Sequence, residues 1–251
     1  TLLLENNITP IFLKGTGNLL EGLYEDIAER MVGDIDFLVS ADEFPTAIKV
    51  LKQNQYKRIS DKLTSPVLSK HYPRIFNKNK IAAVEIHIEM IKGKKSLSFN
   101  YQKVCDSFIS INSIKVLSFL NQLTITILSN QYNDNGAIYK TFSFRNTYDA
   151  YLISLKTKKT SILNKTFFNT LNNYLIISSF FLNSKRVTFK NSHKGKTHLK
   201  LLTLKLDFPI IGKLHTTLWK ALISINKNFK GTIRFITNKD FRNYYIKKLN
   251  S

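Results

Sequence analysis

Residues 12–39 read FLKGTGNLLEGLYEDIAERMVGDIDFLV. Two features in this stretch point to phosphate chemistry. The first is a short glycine turn, Lys14-Gly15-Thr16-Gly17, set between an apolar run and a segment with helical periodicity. The second is Asp34-Ile35-Asp36, two carboxylates at i and i+2 inside a second apolar run. On a strand, side chains two apart share a face. Asp34 and Asp36 then project together, while Ile35 and Phe37 turn to the core. Two convergent carboxylates on a rigid strand suit Mg²⁺ or Mn²⁺.

Working outward, Ile8 to Leu13 is expected to be a buried strand. Leu19, Leu20, Leu23 and Ile27 recur at three- to four-residue spacing and predict a helix over 17–30. Asp34 to Val39 is predicted as a strand, and Ser40 as the cap of a helix over 42–54. Strands are expected at 56–59 and 67–76, followed by a turn at Asn77-Lys78-Asn79-Lys80.

Ile81 to Met90 is the other decisive strand. Val84, Ile86 and Ile88 alternate with Glu85, His87 and Glu89, so one face is apolar and the other carries carboxylate, imidazole and carboxylate. Alone, this is an ordinary amphipathic strand with a wet face. Beside an Asp-x-Asp strand, one further carboxylate completes a two-metal site. Glu85 is the choice, with His87 and Glu89 as alternatives on the same face. Further on, Ile114 to Leu117 is short and apolar. Helices are expected at 118–132, 144–157, 161–182, 212–228 and 238–249, with a basic loop or helix edge at 185–200. The order is mixed α/β first and mostly helical afterwards. It predicts a catalytic domain over 1–110 and a helical, strongly basic domain over 111–251.

The chain has 251 residues and a net charge of +21. Residues 1–155 hold 18 basic and 15 acidic side chains. Residues 156–251 hold 20 basic ones and only Asp207 and Asp240 as acids. A segment so charged concentrates anions and favours nucleic acid or an anionic membrane. Phe189, Trp219, Phe229 and Phe235 lie among its lysines, where aromatics either stack on bases or pack into a core. An AT-rich coding bias also raises lysine content, but it does not explain the loss of acids after Asp149. No run approaches the length of a transmembrane helix. One cysteine, Cys105, excludes a disulfide framework and a cysteine zinc site, which fits a reducing cytoplasm. The chain opens at Thr1 rather than Met, so a preceding native segment is expected.

Lys14-Gly15, Arg30, Gly33-Asp34-Ile35-Asp36 and Glu85-Ile86-His87 fall in an order that resembles a known family. It is the bacterial "uncharacterised nucleotidyltransferase" branch of the superfamily sharing its fold with DNA polymerase β. The resemblance covers roughly residues 8–155. Gly-Thr-Gly departs from the Gly-Ser or Gly-Gly common in the superfamily. The resemblance implies an α+β fold, a mixed sheet with flanking helices. It also implies that Asp34, Asp36 and Glu85 hold two divalent ions against a nucleoside triphosphate, ATP among the candidates. Lys14, Gly15, Thr16, Gly17 and Arg30 would then serve the phosphates, the glycines by letting backbone amides approach closely. Arg30 otherwise pairs with Asp26. Arg145 either pairs with Asp149 on one helix or sits near the nucleotide.

The expected reaction transfers a nucleoside monophosphate to an acceptor hydroxyl. The basic region 156–251 points to RNA, a tRNA end included. A related abortive-infection toxin type also carries Lys-Gly and Asp-x-Asp, which adds a toxin or defence role with an antitoxin or other protein partner. A protein side chain, a small-molecule acceptor and an inactive nucleotide-binding module are the alternatives.

Overall fold

The computed structural model describes residues 2–58, 70–157, 164–184 and 189–249. It divides into two compact units, residues 1–59 with 70–200, and residues 60–69 with 201–251.

The first unit is built on a seven-stranded mixed sheet in the order β3-β4-β5-β2-β1-β7-β6. Its strands are β1 (Ile11–Phe12), β2 (Asp34–Leu38), β3 (Lys57–Arg58), β4 (Ile75–Phe76), β5 (Ala83–His87), β6 (Phe108–Ile111) and β7 (Ile114–Leu117). β2 lies between β5, which runs parallel to it, and β1, which runs antiparallel. β6 runs through residue 110 and pairs with β7, which pairs in parallel with β1. The fold is therefore α+β, with helices on both faces of the sheet.

Strand alternation sorts the two faces. Phe37, Val39, Val84 and Ile86 form one core with Phe44, Ala47, Val50 and Leu51 of α2 (Glu43–Gln53). On the opposite face, Ile11, Leu13, Leu38 and Leu117 meet α4 (Phe119–Leu128), α6 (Phe144–Lys156) and α7 (Phe168–Phe181). Both sides of β2 are thus covered, which explains its nearly continuous apolar character after Asp36. Short helices α1 (Lys14–Leu20), α3 (Tyr101–Val104) and α5 (Gly136–Tyr139) complete this unit together with the start of α8 (His193–Asp207).

Several expectations shift. The helix expected over 17–30 is α1, which begins at Lys14 and ends at Leu20. Gly22 stops it at a φ of 72°. The Leu23 amide donates to the Asn18 carbonyl and the Gly22 amide to Leu19, the paired closure that a left-handed glycine permits. Ile27 then falls on a separate 3₁₀ turn, 77% exposed. Pro10 has no amide to pair, and β1 keeps only two residues of the expected strand. Of the strand expected over 67–76, Ile75 and Phe76 are β4, and 67–69 lie outside the described residues. Residue 59 of the 56–59 strand lies outside them too. Ser40 does cap α2, although Asp42 directly precedes the helix. Its hydroxyl accepts from the Glu43 amide at 3.1 Å and donates to the Glu43 carboxylate at 2.8 Å.

The helix expected over 118–132 changes to a π-turn at Ser129–Asn133. The 161–182 helix is α7 behind a 3₁₀ turn, with 158–163 outside the described residues. Of the basic stretch 185–200, residues 185–188 also lie outside them, and α8 starts at His193. In the second unit, α9 runs Pro209–Thr237, much longer than the expected 212–228. Proline at its first position suits a helix start, and the next strong stop is Asn238. α10 (Lys239–Leu249) follows, and Arg242 donates back to the carbonyls of Phe235 and Ile236.

Candidate metal centre

The parallel register of β2 and β5 builds the site. Asp34 faces Ala83, and Asp36 faces Glu85 directly. Asp36, Glu85 and His87 offer ligand atoms that all lie within 4.8 Å of one another. Asp36 Oδ1 accepts from His87 Nε2 at 2.7 Å and from Lys14 Nζ at 2.7 Å. His87 is fully buried, and its Nδ1 lies 3.4 Å from the Glu89 carbonyl. That carbonyl orients the ring, as backbone acceptors do behind metal-binding histidines. Asp34 lies on the same face and pairs with Arg74 NH2 at 2.6 Å. Glu85 Oε1 is 3.5 Å from the same guanidinium nitrogen.

Electrostatics separate the three carboxylates. Burial raises the Asp36 pKa, but the His87 hydrogen bond and the Lys14 charge outweigh it and hold Asp36 well below its ordinary value. The His87 hydrogen bond lowers Glu85 against the opposing effect of burial. Asp34 moves the other way: burial raises its pKa, and Arg74 only partly offsets that. Lys70 feels Asp36 and Glu85 from nearby. Burial, with Lys14 and Lys92 adding repulsion, brings it down to about 8.

Lys14 sits at a φ of 51°, left-handed backbone that a lysine rarely adopts. This places its ammonium on Asp36 at the very start of α1. Gly15 and Gly17 are buried there for steric reasons. A Cβ on Gly17 would lie 2.8 Å from the Phe12 carbonyl oxygen, and one on Gly15 would lie 2.8 Å from Arg30 NH2. The Thr16 hydroxyl donates to the Asp34 carbonyl at 3.2 Å, tying α1 to β2.

The protein partner of Arg30 is Asp149 rather than Asp26, the side chain weighed against phosphate. Arg30 Nε lies 3.2 Å from both Asp149 oxygens, and Tyr24 OH donates to the same carboxylate at 2.8 Å. Asp26 instead accepts from the Ala28 amide. Arg145 is exposed on α6, and its charge helps keep Asp149 ionised. Glu89 lies past the end of β5, and its carboxylate accepts from the Ser96 hydroxyl. It stands apart from the Asp36 cluster. Sequence reasoning missed Arg74 and Lys70. Their one signal is a pair of bases just before β4, on a stretch whose neighbour in the sheet is the His87 strand.

The acid–acid–imidazole cluster on two parallel strands offers ligand atoms that could hold a metal ion, with a glycine turn and a lysine beside it. No curated protein matches the chain. Residues 1–171 do match the model of the family described as uncharacterised nucleotidyltransferase, and the chain belongs to that family.

Proposed function

We propose that the chain is a metal-dependent nucleotidyltransferase that moves a nucleoside monophosphate from a nucleoside triphosphate to an acceptor hydroxyl on RNA, releasing pyrophosphate. The carrying observation is the register that sets Asp36 against Glu85 with His87 within ligand distance. The donor set fits a divalent cation: two carboxylates and an imidazole converge, and Asp34 adds a third carboxylate on the same face. Carboxylate oxygens alone suit Mg²⁺, while an imidazole in the set leans toward a transition ion such as Mn²⁺. Bound there, the cation neutralises phosphate charge and acidifies the attacking hydroxyl.

The side chains divide the remaining work. Asp36 and Glu85, both depressed below their ordinary pKa, stay ionised near neutral pH and serve as ligands rather than bases. Asp34, on the same face and paired with Arg74, completes the set of carboxylates. Lys14 and Arg74 meet the triphosphate. The amides of Gly15 and Thr16 add donors at the start of α1, with Arg30 packed behind the turn, while the expected Gly17 amide is instead taken up by the Leu13 carbonyl at 3.1 Å. The acid-poor region after residue 155 supports RNA as the acceptor.

The test is incubation of purified protein with Mg²⁺ or Mn²⁺, each labelled nucleoside triphosphate in turn, and total RNA or cell lysate. Label on RNA is expected, with the Asp34→Asn/Asp36→Asn variant silent. Label on a protein band would replace RNA by a side-chain acceptor. Absence of label with every triphosphate and acceptor would remove the transfer reaction and leave a binding module.

A further inference from the structure

We propose that α9 is an in-plane membrane helix that binds an anionic lipid surface. The helix is 29 residues long and none of its residues is buried. Ile211, Leu214, Leu218, Leu222, Ile225, Phe229, Ile233 and Ile236 follow a repeating spacing of three, four and four. At about 100° per residue they share one arc about 100° wide. Their exposures run from 39% to 69%, a contiguous apolar stripe along the whole element. Lys213, Lys220, Lys227, Lys230 and Arg234 occupy a second arc of about 100°, nearly opposite the first. No Asp or Glu lies anywhere between Phe208 and Asn238.

This combination selects the occupant. RNA gains from the cations but has no use for eight exposed aliphatic and aromatic side chains, since its affinity comes from phosphate contacts and stacked bases. A second copy could cover the stripe, but it brings another +21 chain against this one. An anionic bilayer satisfies both faces together. The stripe enters the headgroup–acyl boundary, and the cations meet the surface potential from the polar side. At about 1.5 Å per residue the helix is long enough to cross the hydrocarbon core. Its five cations forbid that, and no described helix is apolar enough to span a membrane. Lying flat is the arrangement that leaves the lysines hydrated. Trp219, the single tryptophan of the chain, flanks the stripe, at the depth where tryptophan partitions. The site on β2 and β5 plays no part in this, so the proposal stands or falls independently of nucleotidyl transfer.

Trp219 makes the test direct. The intact protein is titrated with phosphatidylcholine vesicles, with or without phosphatidylglycerol, and Trp219 emission is followed. A blue shift with the anionic vesicles, and none with the zwitterionic ones, is expected. Lys213→Ser/Lys220→Ser/Lys227→Ser should weaken the binding about a hundredfold, from roughly fivefold per cation. Leu218→Ser/Ile225→Ser/Phe229→Ser should abolish the shift. Circular dichroism should remain that of the parent, because these side chains are exposed. The proposal is overturned if anionic vesicles leave the emission unchanged, or if the apolar triple variant still binds them. It is equally overturned if RNA produces the shift and vesicles do not. A vesicle-free shift that tracks protein concentration and dimer formation would assign the stripe to a second copy instead.

Discussion

Asp36 is the residue on which the site turns, because one of its oxygens already holds two partners. Lys14 and His87 both reach Oδ1, while Arg74 neutralises Asp34 and approaches Glu85. A cation entering this cluster competes with charges that the protein itself supplies. In the proposed reaction Lys14 and Arg74 also meet the phosphates, so metal entry and phosphate binding draw them in one direction. Arg74→Gln should therefore raise affinity for Mn²⁺ without nucleotide, by roughly two- to fivefold given the half-exposed pair. The same change should weaken binding of a non-hydrolysable triphosphate. Calorimetric titration of each ligand separates the two effects. Unchanged Mn²⁺ affinity would mean that the guanidinium does not guard the site.

Acidification probes the same residues. A carboxylate depressed in the folded state adds stability above its ordinary value and loses it as pH falls through the folded one. Asp36 and Glu85 both contribute in this sense, from ordinary values of 3.8 and 4.5 downward. Asp34 and Asp149, raised by burial, oppose it, since each holds a proton more tightly when folded. The net acid limb should flatten in an Asp36→Asn variant, as followed by thermal unfolding at successive pH values. An acid limb as steep as that of the parent would place the titrating groups elsewhere.

At the scale of elements, a buried ion pair fastens α6 to the turn that carries the site. Arg30 packs over Gly15 and meets Asp149 on α6, with Tyr24 as a second donor. The two side chains are 10% and 3% exposed. Removing one partner strands the other, a loss of about 3–5 kcal/mol. Asp149→Leu should show that loss in urea unfolding, and Arg30→Met/Asp149→Leu should recover much of it. Full additivity of the two single losses would contradict a coupled pair.

Sequence periodicity showed part of this arrangement. β2 and β5 were legible because alternation and i, i+2 acids survive in a strand whatever its neighbours. The Gly15 requirement was legible as a close approach, but the partner is an arginine side chain as well as any phosphate. The Arg30–Asp149 contact was not legible, since it joins residues far apart in the chain and depends on helix packing. Arg74 escaped notice for a similar reason. It reaches the acids across a sheet whose strand order periodicity does not encode.

For the whole molecule, the charge asymmetry divides by element. The cations of α9 lie opposite an apolar stripe, a geometry suited to lipid. Lys190, Lys194 and Lys196 precede it on the first compact unit, the one that carries the candidate metal centre. Lys190 is anchored there, its backbone exchanging hydrogen bonds with the Asn172 side chain on α7 at 2.7 and 2.8 Å. An acceptor strand held by these lysines would be bound by the same unit that holds the proposed transfer site, whereas α9 would set only where the molecule resides. Reversal of the three lysines, Lys190→Glu/Lys194→Glu/Lys196→Glu, should abolish labelling of RNA while triphosphate affinity stays at the parent value. The salt dependence of RNA binding should fall by about 0.7 in logarithmic slope for each phosphate that is no longer neutralised. Electrophoretic mobility shifts across a salt series measure that slope, and calorimetry measures the triphosphate. If labelling survives the reversal, the acceptor is held elsewhere. If triphosphate binding falls along with it, these lysines belong to the nucleotide site and not to a separate RNA surface.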